Sequence, residues 1–243
     1  MVFMNRGSVR RNPNVSLARV LSKLGVTSRR QATTMIEEGR VRVNGVVRII
    51  PEYRCDLFAD RITVDNHPVH RKEIVYIAMN KPVGVVTTRS DERNRKTVYD
   101  HLGDIGKWVF PIGRLDKDTS GLLIFTNDTR LGERLTNPAS KIPKTYRVNL
   151  DSPISKSDIQ MLEQGMMLDG EQLLPARVKV ITQDVIELTI VEGKNRQIRR
   201  MCEALGYGIR LLERIKIGRL SLENIAPGRW RYLAKKEIQE LKG

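Results

Sequence analysis

The sequence predicts an α+β protein with two domains, the second built on a mixed, mainly antiparallel sheet with flanking helices. Short apolar strands recur along the chain with few helices between them, and polar turns such as Pro227-Gly228 favour antiparallel pairing. The polar stretch from Asn66 to Lys72, interrupted by Pro68, is typical of a linker. With 243 residues, 40% of them hydrophobic, the chain has enough apolar residues to form a core in each domain.

The N-terminal part predicts two short helices packed on a small sheet. Apolar residues at helical spacing predict a first helix, and Ser28 with Gln31 forms a capping box for a second helix that ends at Gly39. Alternating valines around the Asn44-Gly45 turn predict a hairpin whose second strand is 46–50. We therefore expect a basic flexible tail at 1–14, a small domain at 15–66, a linker at 67–72 and a larger domain at 73–243.

The charge balance favours a polyanionic partner. Lysine and arginine number 43 against 28 aspartates and glutamates, and the resulting net charge of +15 attracts phosphate. The two cysteines lie far apart, and the three histidines lack the spacing of zinc ligands, so we expect neither a disulfide framework nor a metal site. No apolar run has the length of a signal peptide or a membrane span. We expect a cytoplasmic monomer that binds nucleic acid but no membrane, metal or cofactor.

Four arginines in the N-terminal part form a candidate phosphate-binding face. Arg29 and Arg30 fall in the first turn of the second predicted helix, where the helix dipole disfavours cations by roughly a few tenths of a kcal/mol. Helix stability therefore does not explain them, whereas a bound anion would offset the cost. Arg40 and Arg42 follow shortly after and favour a phosphate-binding face, with solvated surface charge as the alternative.

The larger domain is predicted to be rich in strands. We expect strands at 74–79, 84–88, 122–125, 145–150, 177–181 and 185–191, and helices at 156–164 and 198–205. The last of these helices has an apolar stripe on one side. Its opposite side is basic, with Arg196, Arg199 and Arg200.

A short polar loop carries the most informative acidic residue, Asp116. Glycines flank the loop and an apolar run follows it, so the carboxylate is presented rather than buried. Four interpretations are open from the residues alone. The first is a structural Asx turn; the second is a calcium loop, which Asn127 disfavours because a bidentate glutamate is needed there. The third is a phosphotransferase that uses Asp116 and Asp118, which Pro111 and Gly113 disfavour by interrupting the strand it needs. The fourth is a single aspartate that acts with an arginine.

Three blocks resemble the bacterial ribosomal-RNA pseudouridine synthases of the Rsu-type family. They are Asn80-Lys81-Pro82-Val83-Gly84, Gly113-Arg114-Leu115-Asp116-x-x-Thr119-x-Gly121-Leu122-Leu123-Ile124-Phe125-Thr126, and Glu192-Gly193-Lys194-Asn195-Arg196-Gln197-Ile198-Arg199-Arg200-Met201, in the family's order. The blocks Phe110-Pro111-Ile112-Gly113 and Arg200-Met201-Cys202-Glu203 are most similar to its large-subunit branch. Ser28-Arg29-Arg30-Gln31-Ala32 and Gly39-Arg40-Val41-x-Val43-Asn44-Gly45 resemble the RNA-binding domain of ribosomal protein S-four. Ser16 departs from that domain, which often has an arginine there.

The resemblance implies conversion of a uridine of ribosomal RNA, with large-subunit RNA expected, into pseudouridine, without a cofactor or a metal. Asp116 is then the catalytic aspartate, which either attacks ribose C1′ or removes a sugar proton. Arg199 is expected to pair with Asp116 and favour its ionised form, and Tyr146 to pack on the target base. Arg114 is expected to fill the gap left by the flipped nucleotide, and Ile190 to form an apolar wall of the pocket. For Tyr146 and Ile190, core packing is the alternative.

Further basic residues near these blocks are candidate phosphate contacts. Lys81, Lys194 and Arg196 are predicted to bind the substrate, and Arg93, Arg95 and Lys96 to bind RNA more generally. Aromatic residues make up only 5% of the chain, which favours recognition of a folded RNA element over stacking along a single strand. A non-catalytic rRNA-binding or ribosome-assembly protein is the main alternative, but it leaves Asp116 without a role. An aspartyl phosphohydrolase is a second alternative, which leaves the N-terminal RNA-binding domain unexplained.

Overall fold

The computed structural model describes residues 15–56, 59–69 and 73–243. These residues form two compact units, one ending at Glu73 and the other comprising Ile74–Gly243. The tail predicted for residues 1–14 lies outside the described residues. The first unit contains β1 Val15–Ser16, α1 Leu17–Lys23, α2 Arg29–Glu37, β2 Val41–Val43, β3 Val46–Val47, β4 Arg54–Cys55, β5 Ile62–Val64 and β6 His67–Pro68.

The first unit packs two helices on short strands, as the sequence predicts. Ser28 caps α2 by accepting a hydrogen bond from the Gln31 backbone N–H at 3.2 Å. The strands form one sheet in the order β3-β2-β5-β6 and a separate pair of β1 with β4. Two boundaries differ from prediction. The hairpin strand starting at Val46 ends at Val47, and residues 67 and 68, predicted as linker, pair with β5 as strand β6.

The second unit contains all the remaining elements. They are β7 Tyr76–Lys81, α3 Val98–Leu102, β8 Phe110–Ile112, β9 Ser120–Thr126, α4 Thr129–Thr136, a 3₁₀ turn Pro138–Ser140, β10 Lys144–Leu150, α5 Lys156–Gln164, β11 Met167–Leu168, β12 Glu171–Gln172, β13 Arg177–Val180, β14 Val185–Ile190, α6 Gln197–Ala204, β15 Ile209–Ile217, β16 Leu220–Ser221, β17 Trp230–Tyr232 and α7 Lys235–Lys242.

A nine-stranded mixed sheet organises the second unit and confirms the predicted α+β class. Its main path runs β13-β14-β10-β15-β9-β7-β17, with β16 on β15 and β8 on β9. The pairs are antiparallel except for β9 with β15, which run parallel and meet at only two residue pairs, Glu213 with Ser120 and Arg214 with Gly121. Gly121 is required there, because a Cβ on it would lie 2.3 Å from the Arg214 carbonyl oxygen.

Apolar clusters lie on both sides of this parallel contact, and one of them crosses it, because Ile217 of β15 and Leu220 of β16 pack with Leu122 and Ile124 of β9. One includes Leu150, Leu162 and Leu188 and packs on β10 and β14, and two others pack on β7 and β9. Two predictions for this unit were wrong. Residues 84–88 form no strand but only an isolated bridge of Val86 with Thr97. Phe110–Ile112 do form a strand despite Pro111, because β8 pairs only with β9 and an edge strand tolerates proline.

Candidate active site

The Asp116 loop connects β8 to β9 and is anchored from two directions. The Thr87 hydroxyl donates to the Leu115 carbonyl at 2.7 Å and accepts from the Leu115 N–H at 3.3 Å. Leu115 is itself buried, whereas the Asp116 side chain is 43% exposed. The loop therefore holds its backbone in the protein and presents the carboxylate outward, as the sequence predicts.

Lys81 provides the second anchor, and this differs from the prediction that it binds substrate. The side chain is fully buried, and its ammonium donates to the carbonyls of Thr119 at 2.7 Å, Pro82 at 3.0 Å and Lys117 at 3.4 Å. Burial lowers the Lys81 pKa from 10.5 to about 8, although the charge of Asp116 opposes this shift. Lys81 thus positions the loop from below and is not available to a phosphate.

A cleft of about 540 Å³ lies over the parallel contact between β9 and β15. Seven predicted site residues line it, namely Arg114, Asp116, Tyr146, Ile190, Lys194, Arg196 and Arg199. They come from the β8–β9 loop, from β10, from the end of β14 and from the start of α6. Residues far apart in sequence are therefore brought to one concave surface, which is the usual form of a ligand site.

The arginines at the start of α6 contact the Asp116 loop differently from prediction. Arg196 adopts a left-handed backbone, with φ of 47°, just before the helix, and its Nη1 lies 3.9 Å from Asp116 Oδ2. Arg199 does not form the predicted ion pair with Asp116; its Nη2 donates to the Asp118 backbone carbonyl at 2.7 Å. Among the described residues, the cation nearest the Asp116 carboxylate is therefore Arg196, and Arg199 fixes the loop through its backbone.

Acidic residues of the β11–β12 hairpin engage two of the basic residues around α6. Lys194 Nζ lies 2.6 Å from Glu171 Oε2, and Arg200 Nη1 lies 2.5 Å from Asp169 Oδ2. Both pairs are solvent-exposed and individually weak. A phosphate that binds Lys194, as predicted, must therefore compete with Glu171.

A β-bulge brings an unpredicted arginine to the floor of the cleft. Thr145 pairs with Lys216 and the next residue, Tyr146, pairs with Arg214, so Ile215 is the extra residue on β15. The bulge shifts the alternation of β15, and both Arg214 and Ile217 line the cleft. No signal in the sequence marks Arg214, because Glu213 and Lys216 are also charged at this end of β15.

The arginines of the first unit that were predicted to bind RNA differ in whether their side chains already have partners in the protein. Arg29 and Arg30 are exposed in the first turn of α2, whereas Arg40 forms two hydrogen bonds with Asp65, of 2.6 and 2.8 Å. Those bonds lower the Asp65 pKa. Arg42, also exposed, donates to the Gly45 carbonyl at 3.2 Å. Of the four, Arg29 and Arg30 have the most accessible charges.

A second cleft of about 420 Å³ lies on the other side of the Asp116 loop and shares Arg114 and Asp116 with the first. Arg93 and Arg95 line it, and Lys96 is exposed in the same loop. Arg95 is paired with Asp91 at 2.6 Å, and this hydrogen bond lowers the Asp91 pKa to about 2. Arg114 therefore stands on the ridge between two clefts.

Neither metal-binding nor membrane-spanning features emerge from the described parts of the chain. Across residues 15–56, 59–69 and 73–243, no group of three or more His, Cys, Asp or Glu side chains is arranged to hold a metal ion. Over the same residues, no helix combines the length and the apolar character needed to cross a membrane.

A presented carboxylate in a cleft lined by arginines and lysines, together with a small basic N-terminal unit, defines an enzyme that acts on an anionic polymer. The RNA pseudouridylate synthase family matches residues 75–204, and the S4 domain matches residues 15–62. The chain belongs to the RNA pseudouridylate synthase family and carries an N-terminal S4 domain, which confirms the resemblance found in its sequence blocks.

Individual relatives match almost the whole chain. The ribosomal large subunit pseudouridine synthase B of Bacillus subtilis is 38% identical over 93% of this chain and 95% of its own length. The dual-specificity RNA pseudouridine synthase RluF of Escherichia coli is 37% identical over 94% of this chain and 78% of its own length. A crystal structure of a pseudouridylate synthase superposes with a TM-score of 0.70 at 31% identity, covering 93% of this chain and 99% of that one.

Proposed function

We propose that this enzyme converts a specific uridine of ribosomal RNA, in the large subunit, into pseudouridine, with Asp116 as its catalytic residue. The main support for this proposal is the exposed Asp116 carboxylate at the edge of a basic cleft that also contains Tyr146 and Arg196. The names of the relatives from Bacillus subtilis and Escherichia coli support an RNA substrate, and the former supports the large subunit.

The reaction is an isomerisation and consumes no oxidant or reductant. The bond from ribose C1′ to uracil N1 breaks, and its electron pair stays with the base. A bond then forms between C1′ and C5, the C5 proton leaves, and N1 takes a proton from solvent. Asp116 either attacks C1′ or removes a sugar proton, and both roles need an ionised carboxylate near the ribose. Arg196 Nη1 lies 3.9 Å from this carboxylate.

The other site residues then have distinct tasks. Tyr146, half-buried on β10, provides a surface on which the target base packs, and Ile190 on β14 provides an apolar wall. Arg114, exposed on the ridge between the two clefts, fills the space left by the flipped nucleotide. Lys81 and Arg199 act through the loop backbone and not on the RNA.

The S4 domain would contribute affinity for the RNA and not chemistry. Arg29 and Arg30 at the start of α2 have no acidic residue beside them in the first turn, so a phosphate is favoured there by charge and by the helix dipole. Removing one phosphate-binding side chain lowers the slope of log affinity against log salt by about 0.7 to 0.9.

The test measures tritium release from rRNA transcripts labelled at uridine C5, for both subunit RNAs and with EDTA present. Wild-type enzyme should release tritium from large-subunit RNA, and Asp116→Asn should abolish release while RNA affinity stays nearly unchanged. Asp118→Asn is the matched control, because Asp118 is an exposed residue of the same loop whose hydrogen bond to Arg199 is made by its backbone carbonyl.

Each outcome has a definite meaning. Retained turnover by Asp116→Asn contradicts the role of Asp116, and loss of turnover in Asp118→Asn while Asp116→Asn stays active assigns the catalytic role to Asp118 instead. Release from small-subunit RNA alone contradicts the choice of subunit. Tight binding without release from either RNA by the wild type favours a non-catalytic rRNA-binding protein.

A further inference from the structure

Arg214 is a buried cation that the roles assigned above leave unexplained. It is only 4% exposed, and its Nε donates to the Leu122 carbonyl at 2.8 Å. Its Nη2 is buried without a hydrogen-bond partner. A buried charged donor is costly when unsatisfied, so such a group in a cleft indicates a ligand that completes it.

The position of Arg214 associates it with the reacting base. In the β10–β15 pairing Arg214 lies directly opposite Tyr146, and both residues line the cleft. Side chains of directly opposite residues in paired strands are neighbours on one face of the sheet. A base that packs on Tyr146 therefore brings its edge next to the guanidinium of Arg214.

The charge around Arg214 is predominantly positive. Burial lowers the pKa of Lys144, which also lines the cleft, and that of Lys81 below the loop, and the charge of Arg214 lowers both further. Among the described residues, no carboxylate lies within 4.0 Å of Arg214 to form an ion pair with it. The cleft floor thus has an excess of positive charge that a group gaining negative charge would neutralise.

The apolar surroundings favour a base over a phosphate. Leu212, Ile217 and Ile190 line the cleft with Arg214, whereas the exposed cations Arg114 and Arg196 stand at its rim. A phosphate carries its charge into the site at once and is best bound at the rim. Uracil enters as a neutral ring and becomes anionic only after the bond to C1′ breaks.

We propose that Arg214 is a catalytic residue whose guanidinium donates a hydrogen bond to a carbonyl oxygen of the target uracil and stabilises the uracil anion. This role rests on the proposed uridine isomerisation. When the C1′–N1 bond breaks, the electron pair passes to N1 and spreads to the carbonyl oxygens. The bond from Arg214 strengthens as this charge develops, and it weakens again when C5 bonds to C1′ and loses its proton.

The test compares uridine with 5-fluorouridine at the target position under single-turnover conditions. Loss of the starting nucleoside is measured by chromatography and mass spectrometry after nuclease digestion. Fluorine stabilises the departing uracil anion, so a stabilising cation matters less for that substrate. The variants are Arg214→Met and Arg214→Lys, and the control is Arg210→Met, an exposed arginine on the same strand.

Arg214→Met should slow cleavage of uridine about 100-fold, the usual effect of removing one donor to a developing anion, with RNA affinity nearly unchanged. The defect with 5-fluorouridine should be at most about 10-fold. Arg214→Lys should show a smaller defect with the same dependence on substrate, and it replaces the Met variant if that one does not fold. Arg210→Met should match the wild type.

Equal defects on the two substrates would mean that Arg214 only holds β15 against β9, and would overturn the proposal. An unchanged rate, or a loss confined to RNA affinity, would overturn it as well. Failure of the wild type itself to consume uridine would overturn the proposed function and the role of Arg214 together. A wild type that consumes uridine while Arg214→Met shows equal defects on both substrates would overturn only the role of Arg214.

Discussion

Replacing Lys81 by methionine tests whether a buried ammonium anchors the Asp116 loop. Methionine approximates the length of lysine but removes the charge and the hydrogen bonds to the carbonyls of Thr119, Pro82 and Lys117. Freed carbonyls destabilise the loop, whereas removal of a buried charge relieves a desolvation cost, so the net effect at neutral pH is small. The pH dependence of the difference is more diagnostic than its size.

The magnitude follows from the lowered pKa. Lys81 has a pKa of about 8 in the folded protein against 10.5 when unperturbed, so between these values the unfolded chain binds more protons. The free energy of unfolding therefore rises with pH across this window. Well below pH 8, Lys81 is protonated in both states and adds no pH dependence. Wild type should gain about 2 kcal/mol relative to Lys81→Met between pH 7 and pH 9.5.

The assay is urea unfolding followed by tryptophan fluorescence at several pH values. Both tryptophans of the chain, Trp108 and Trp230, lie in the second unit, so the signal reports on the unit that contains Lys81. Lys236→Met, at an exposed lysine of α7, is the matched control and should show a constant difference from wild type. A difference between wild type and Lys81→Met that is also constant with pH would refute the reasoning.

Three further changes test other parts of the structure. Gly121→Ala places a Cβ 2.3 Å from a carbonyl oxygen of the neighbouring strand, and should cost at least about 3 kcal/mol of stability in a denaturant titration. Glu171→Gln removes the ion pair of Lys194 and should tighten RNA binding. The slope of log affinity against log salt, measured by fluorescence anisotropy, should become steeper by about 0.7 to 0.9. Arg29→Ala should lower the slope of log affinity against log salt by about 0.7 to 0.9. Arg40→Ala should change this slope little, because the Arg40 side chain is already paired with Asp65. Equal effects of the two variants would contradict the assigned roles.

Local sequence patterns predicted the elements and the loop that carries Asp116. Capping by Ser155 predicted α5 with the bounds that the structure has. The glycines and polar residues before β9 predicted a presented carboxylate, and its 43% exposure agrees. These features depend on residues close together in sequence, and short-range physics is sufficient to read them.

The features that could not be predicted from the sequence depend on tertiary structure. Lys81 was interpreted as a phosphate contact because a lysine beside a motif is usually exposed, but the strand β7 continues to it and buries it. The left-handed backbone of Arg196 determines which arginine approaches Asp116, and no pattern specifies that conformation. Arg214 reaches the cleft through a bulge and a pairing with Gly121, about 90 residues away in sequence.

The two-residue parallel contact between β9 and β15 implies a weak line through the catalytic unit. Asp116 precedes β9 on one side of this line and Tyr146 lies on β10 on the other, and a cluster that includes Leu122 of β9 and Ile217 of β15 is the apolar packing that crosses it. Separation along the line disturbs fewer interactions than unfolding either side, so local opening should precede global unfolding. Heat or denaturant would then part the carboxylate from the tyrosine before the strands on either side unfold. Catalysis should disappear at a lower temperature than the native tryptophan signal, and return on cooling.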